Sequence, residues 1–206
     1  MVNKLPSEYE CPFDAFLLNI ITPQLKYYYS AGLTPNNITT ISILFGILSA
    51  YCIYKKYNFL AAGLLLISYY FDCVDGKLAR KYKMVSKFGD YYDHFGDLFK
   101  IILIGIALYI TASYKITGSS WKPLKVSSQH KIYVAILTIT LLLQIIHMGF
   151  QECIYDKKHE SPFLDILCKG VKIISDDPHS SILYTRYMGC GHWFVILAII
   201  IALWNN

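Results

Sequence analysis

Five of the fourteen acidic residues of this 206-residue chain fall between positions 72 and 97. Asp72 and Asp75 are spaced i, i+3, and Asp93 and Asp97 are spaced i, i+4, so each pair shares one face of a helix. Each pair also abuts an apolar run. Residues 59–71 end directly before Asp72, and residues 101–114 begin shortly after Asp97. Ionisable groups at the ends of membrane spans are costly to keep and mark functional sites. The 17 residues between Asp75 and Asp93 make a short loop, which puts both pairs at one membrane surface. Four converging carboxylates repel one another unless cations lie between them, and hard oxygen ligands of this kind suit Mg²⁺ or Mn²⁺.

The residues between the pairs have the chemistry of a phosphate reader. Gly76 allows close backbone approach, Ala79 is small, and Arg80 offers a planar fork to a diphosphate. Ser86 and Gly89 precede the third span, where Ser86 also suits a helix N-cap, with Asp90 in the following turn. Lys77 and Lys81 are expected on a solvated loop face.

The elements that position these groups follow from composition and patterning. Hydrophobic residues make up 55% of the chain and charged residues 16%, the net charge is +5 and the mean hydropathy is +0.39. Soluble domains average about 25% charged residues. The apolar content excludes a disordered chain, and the scattered basic residues exclude a nucleic-acid binder. A bilayer is crossed by about 20 mostly apolar residues. Five uncharged segments (38–54, 59–71, 101–114, 132–151 and 187–206) qualify as spans or as the apolar core of one. Residues 13–29 begin with a single apolar helical face, Phe13, Phe16, Leu17, Ile20, Ile21 and Leu25, and read as an amphipathic helix on the membrane surface. Residues 163–174 read as a second interfacial helix, with a short sixth span as the alternative. The expected fold is all-α: a polytopic membrane bundle of five to six spans plus the N-terminal interfacial helix, with residues 1–206 as one domain.

Lysine and arginine orient such a bundle. With a cytosolic N-terminus and five spans, 12 of these residues fall on inner segments and 6 on outer loops. The acid-rich surface then faces the cytosol. The six cysteines show no C-x-x-C spacing, so neither a metal ribbon nor a disulfide framework is expected. His147, Glu152, Cys153 and the Cys190-Gly191-His192 run match no zinc spacing and read as packing positions.

Written in order, the stretch is Asp72-x-x-Asp75-Gly76-x-x-Ala79-Arg80, eight residues, then Gly89-x-x-x-Asp93-x-x-x-Asp97. This resembles the signature of the CDP-alcohol phosphotransferase (CDP-alcohol phosphatidyltransferase class-I) family at all eight positions. Thr34-Pro35-Asn36-Asn37-Ile38-Thr39 is similar to the P-N-x-x-T run that opens the first span in that family. The resemblance implies an integral-membrane phospholipid-synthesis transferase that moves a phosphatidyl or phosphoalcohol group from a CDP-alcohol to an acceptor alcohol and releases CMP. It implies that Asp72, Asp75, Asp93 and Asp97 hold two divalent metals and that Asp97 is the general base. It further implies that Asn36, Asn37, Thr39, Gly76, Ala79, Arg80 and Ser86 line the CDP-alcohol site. A homodimer is the expected assembly, and membrane lipid is the expected partner. Two branches stay open. Asp93-His94 and Asp75-Gly76-Lys77 resemble the CDP-choline/ethanolamine branch that acts on diacylglycerol. The short length, Ala79-Arg80-Lys81-Tyr82 with Val85-Ser86, and Tyr184-Thr185-Arg186 resemble phosphatidylinositol synthases, which use CDP-diacylglycerol. An inactive family member and an acid-lined transporter are the readings from other classes.

Overall fold

The computed structural model describes residue 6 and residues 8–117, 120–154 and 162–204. Two short helices, α1 (Pro12–Ile21) and α2 (Leu25–Ser30), lead into α3 (Pro35–Tyr54), α4 (Asn58–Lys81) and α5 (Lys87–Ser113). A two-stranded antiparallel hairpin, β1 (Tyr114–Thr117) and β2 (Ser120–Pro123), connects α5 to α6 (Ser128–Ile154). Then follow α7 (Pro162–Val171), α8 (Pro178–Thr185), a 3₁₀ turn at Arg186–Met188, and α9 (Cys190–Ala202). Among the described residues, five helical stretches are long and apolar enough to cross a membrane: α3, α4, α5, α6, and the α8–α9 run Pro178–Ala202. The protein is therefore a polytopic helical membrane bundle. The ten-residue α7 is too short to cross a bilayer, so 163–174 adds no sixth span.

Local signals account for most boundaries. Thr34 and Asn37 form a reciprocal capping box with Pro35 in the first turn, which starts α3 sharply. Ser86 caps α5 by accepting from Gly89 N at 3.0 Å. The N-terminal apolar face is broken into α1 and α2 by the Thr22-Pro23-Gln24 turn, because proline supplies no amide to an unbroken helix. Gly32, at φ +75°, takes the left-handed conformation that turns the chain from α2 towards α3.

Two expectations are corrected. The segment after Asp75 is not a loop: α4 runs on to Lys81, leaving only residues 82–86 as the link to α5. Arg80 thus stands one helical turn beyond Gly76. Lys77 is buried rather than solvated, and its Nζ donates to the Leu18 carbonyl at 2.8 Å, tying α1 to α4. The absence of disulfides is overturned as well. Cys153 at the end of α6 and Cys168 on α7 are bonded, because the chain returns α7 against α6 and brings their Cα atoms to 5.0 Å. A 15-residue spacing carries no sign of that return.

Between membrane helices there is no hydrophobic drive, so close backbone approach and interhelical hydrogen bonds must hold the bundle. On α3, Ser42 donates to Ser68 O and Ser68 to Ser42 O, each at 2.8 Å, and Ser49 donates to Ala61 O at 2.8 Å. Such bonds average about 0.6 kcal/mol each in a bilayer. Gly96 on α5 is buried against α3, and a Cβ there would lie 2.6 Å from Ile43 Cδ1. Trp204 closes the far end, donating from Nε1 to Thr111 Oγ1 at 3.1 Å.

Gly96→Val is expected to destabilise the protein by about 1–3 kcal/mol, since β-branched bulk must force α5 off α3. Gly105→Ala, on the same helix with nothing within 4 Å of the added carbon, serves as the control. Thermal unfolding in detergent checks both; equal midpoints would show that Gly96 carries no packing role.

Candidate active site

The overlong α4 and the capped start of α5 project the acidic pairs to one end of the bundle. Suitable carboxylate oxygens of Asp72, Asp93 and Asp97 lie within 4.8 Å of one another. Asp75 is buried one turn along α4 and lines the same cavity as Asp72 and Asp93, but one of its oxygens accepts from Thr39 Oγ1 at 2.6 Å. Asp97 is not itself among the lining residues, but its oxygen adjoins those of Asp72 and Asp93, which are. Three oxygen-bearing groups at this spacing fit a divalent cation, and Asp93 Oδ1 is buried without a hydrogen-bond partner.

The sequence reading missed the group that compensates these charges. Lys100, buried on α5, puts its Nζ 3.0 Å from Asp72 Oδ1, 2.7 Å from Asp97 Oδ1 and 2.8 Å from Ser42 Oγ. Its stem crosses α3 at Gly46, where a Cβ would lie 2.6 Å from Lys100 Cγ. The signal was present in the sequence: a lysine inside an apolar span, at i+3 from Asp97, must find an anion.

The residues expected to read phosphate divide into two groups. Asn36, Thr39, Gly76, Ala79, Arg80 and Ser86 all line a cavity of about 340 Å³ together with Asp72, Asp75 and Asp93. The Arg80 guanidinium folds back over Gly76, so that a Cβ at Gly76 would sit 3.2 Å from Nη1. Asn36 and Ser86 meet over Gly89, whose added Cβ would lie 3.1 Å from Asn36 Oδ1 and 3.1 Å from Ser86 Oγ. Asn37 is set apart. Its side chain accepts from Thr34 N at 2.9 Å and from Thr34 Oγ1 at 2.6 Å, and it does not line the cavity.

A second set of cavity residues lies outside the signature: Glu10, Asp14, Tyr69, Gln151 and Glu152. Tyr69 OH donates to Asp14 Oδ1 at 2.5 Å, and burial pushes the Asp14 carboxyl above the usual carboxylate range. His147 packs away from the cavity, with Nδ1 3.1 Å from Thr185 Oγ1, and His192 Nδ1 lies 3.0 Å from Cys11 Sγ.

An acid triad and an arginine folded over a glycine at one end of a bundle of membrane helices form the candidate active site. The sequence pattern of the CDP-alcohol phosphatidyltransferases matches residues 32–150, more than half of the chain, and the chain belongs to that family of phospholipid-synthesis enzymes. It is 41% identical over 85 residues to an archaetidylinositol phosphate synthase of Pyrococcus horikoshii. That match covers 40% of this chain and 45% of the relative, less than half the length of each. No solved structure matches the chain.

Lys100→Met is expected to make stability depend on added metal. Breaking a buried pair costs up to about 3–5 kcal/mol, and the part-exposed Asp72 and Asp97 reduce this. In EDTA the midpoint should fall by about 4 °C or more relative to the parent protein, and Mg²⁺ should restore most of the loss. Melting curves with and without Mg²⁺ test this; an equal drop in both conditions would assign Lys100 a packing role only.

Proposed function

We propose that the protein transfers a phosphatidyl group from CDP-diacylglycerol to an acceptor alcohol and releases CMP, using two Mg²⁺ or Mn²⁺ ions. The observation that carries this reading is the joining of the Asp72–Asp93–Asp97 triad to a cavity also lined by Arg80, Gly76 and Ser86. In the transfer, the acceptor oxygen forms a bond to the phosphatidyl phosphorus, and the bond from that phosphorus to the CMP phosphate oxygen breaks. Phosphoryl transfer demands positioning and charge neutralisation more than covalent help. Divalent ions, when bound, supply Lewis acidity at the diphosphate and at the departing CMP.

The residues of the chain do the rest. Asp72, Asp75, Asp93 and Asp97 hold the ions. Arg80 makes paired hydrogen bonds to the diphosphate, and Gly76 keeps the backbone bare beneath it. Asn36, Thr39, Ala79 and Ser86 shape the CDP-alcohol site, and Asn37 supports it by fixing the start of α3. Asp97 takes the acceptor hydroxyl proton as the new bond forms. The protein acts as a homodimer in the bilayer with residues 1–206 as one functional domain.

Asp97→Asn keeps size and one oxygen but loses the proton acceptor, so turnover is expected to fall by roughly 10²–10⁴. Nucleotide binding should survive better than in Asp72→Asn. CMP release and CDP-diacylglycerol binding in vesicles with saturating Mg²⁺ separate the two. Equal loss of binding in both variants would make Asp97 mainly a metal ligand and not the base, with His94 the next candidate base. CDP-choline and CDP-ethanolamine with diacylglycerol form the comparison arm; turnover confined to them would assign the aminoalcohol branch.

The cavity face is proposed to be cytosolic. Lys83→Cys, in the α4–α5 link, should then react with an impermeant maleimide only from the cytosol, and Ser127→Cys, before α6, only from the opposite side. Labelling of Lys83→Cys from the outer side would reverse the orientation.

A further inference from the structure

We propose that Lys100 supplies the positive charge that a second divalent ion would otherwise bring, so that the chain alone binds one ion and the second enters only with the donor diphosphate. The inference rests on the transferase reading above and makes Lys100 a positioning residue that sets the order of ion binding. Lys100 is buried on α5, within a membrane span. An ammonium in such a place is costly unless its charge and its hydrogens are met. Its three oxygen partners, Asp72 Oδ1 at 3.0 Å, Asp97 Oδ1 at 2.7 Å and Ser42 Oγ at 2.8 Å, match the three donors of an ammonium. The stem is held where it crosses α3, since a Cβ at Gly46 would lie 2.6 Å from Lys100 Cγ and 2.7 Å from Cδ. The amine therefore stays between its carboxylates as ions come and go.

The four carboxylates are left in unequal states. One oxygen of Asp72 and one of Asp97 face Nζ, and one oxygen of Asp75 accepts from Thr39. Asp93 Oδ1 is buried without a hydrogen-bond partner, which leaves it open to a cation. Among the described residues, Asp72, Asp93 and Asp97 are the one group of three acids, histidines or cysteines whose ligand atoms lie within 4.8 Å of one another, and Asp75 is outside it. That group suffices for one ion. Mg²⁺ is usually held by one or two carboxylates together with substrate phosphates, not by a cage made wholly of protein. A second ion fits that pattern, with oxygen from Asp75 and the rest from the diphosphate.

Charge leads to the same order. With the ions bound, the four carboxylates are ionised, and Lys100 offsets one of them. One divalent ion then leaves a single formal negative charge. A second ion by itself would turn the cluster positive where solvent is sparse and charges interact strongly. The two negative charges of the donor diphosphate reverse that sign, so donor and second ion favour each other's binding. Replacing Lys100 by a neutral side chain removes the obstacle: the freed oxygens of Asp72 and Asp97 and the added negative charge admit the second ion without any donor.

The test counts Mn²⁺ bound to the full-length protein in detergent, from the loss of the free-ion EPR signal, with and without CDP and against protein-free samples that correct for Mn²⁺ held by CDP itself. The parent protein should bind one ion alone and two with saturating CDP, the second ion binding more weakly by about tenfold or more when CDP is absent. Lys100→Met should bind two ions without CDP. Ser42→Ala removes one partner of Nζ but keeps the ammonium, and should stay at one. Two ions of similar affinity on the parent protein without CDP would overturn the proposal, and that measurement needs no variant to fold. A count of one in a Lys100→Met protein that still binds CDP would overturn it as well, as would two ions in Ser42→Ala, where loosened packing would be the cause. A parent protein that binds CDP yet holds one ion throughout would count against the ordered binding alone. A parent protein with no affinity for CDP at any Mn²⁺ concentration would count against the transferase reading.

Discussion

Like charges cannot be gathered at the end of a membrane span without something to hold them. Asp72, Asp93 and Asp97 bring their oxygens within 4.8 Å of one another on two different helices, and the fold meets this demand with a buried lysine on one of them, braced by a third helix. Lys100 reaches Asp72 and Asp97 from α5, and Ser42 of α3 takes part of its hydrogen-bonding capacity. The lysine stem fits only because α3 carries Gly46 where the stem crosses. The same helix orients Asp75 through Thr39 and caps its own start with Thr34 and Asn37. A helix without a single acidic residue thus organises the acids of its neighbours.

This explains why α3 carries small and hydroxylated residues through its buried face. Ser42, Gly46, Ser49 and Ala50 let α4 and α5 approach as backbones, where side-chain burial alone yields little in lipid. Gly96 performs the matching service from α5. The register between α4 and α5, and with it the separation of the carboxylates, is set by these contacts. The geometry of the carboxylate cluster and the stability of the bundle are for that reason coupled through α3.

The sequence made the membrane bundle and the acidic pairs readable because both depend on short-range patterns. Apolar length gives the spans, and i, i+3 or i, i+4 spacing puts each acidic pair on one face. The Ser86 cap was legible on the same footing, from residue type and position. What escaped depends on contacts between distant segments. Lys77 looked solvated because its polar neighbours lie beside it in sequence, whereas the partner that buries it, the Leu18 carbonyl, lies on α1. The extension of α4 to Lys81 escaped because span hydropathy stops at Phe71 while the helix does not. Cys153 and Cys168 gave no sign of pairing, since their approach depends on where α7 folds back.

The division of the cavity also follows from this architecture. Signature residues come from α4 and α5 and the start of α3, and they line the end where Arg80 stands. Further lining residues come from Glu10, α1 and the end of α6, elements whose sequences lie outside the signature. α1 is joined to the bundle beside this cavity by the Lys77–Leu18 bond, the Tyr69–Asp14 bond and the glycine-lined start of α9. Neither Asp14 nor Glu152 is among the partners of Lys100, whose bridge runs to Asp72, Asp97 and Ser42. The acid triad and the α1 wall of the cavity are therefore held in place by different sets of contacts.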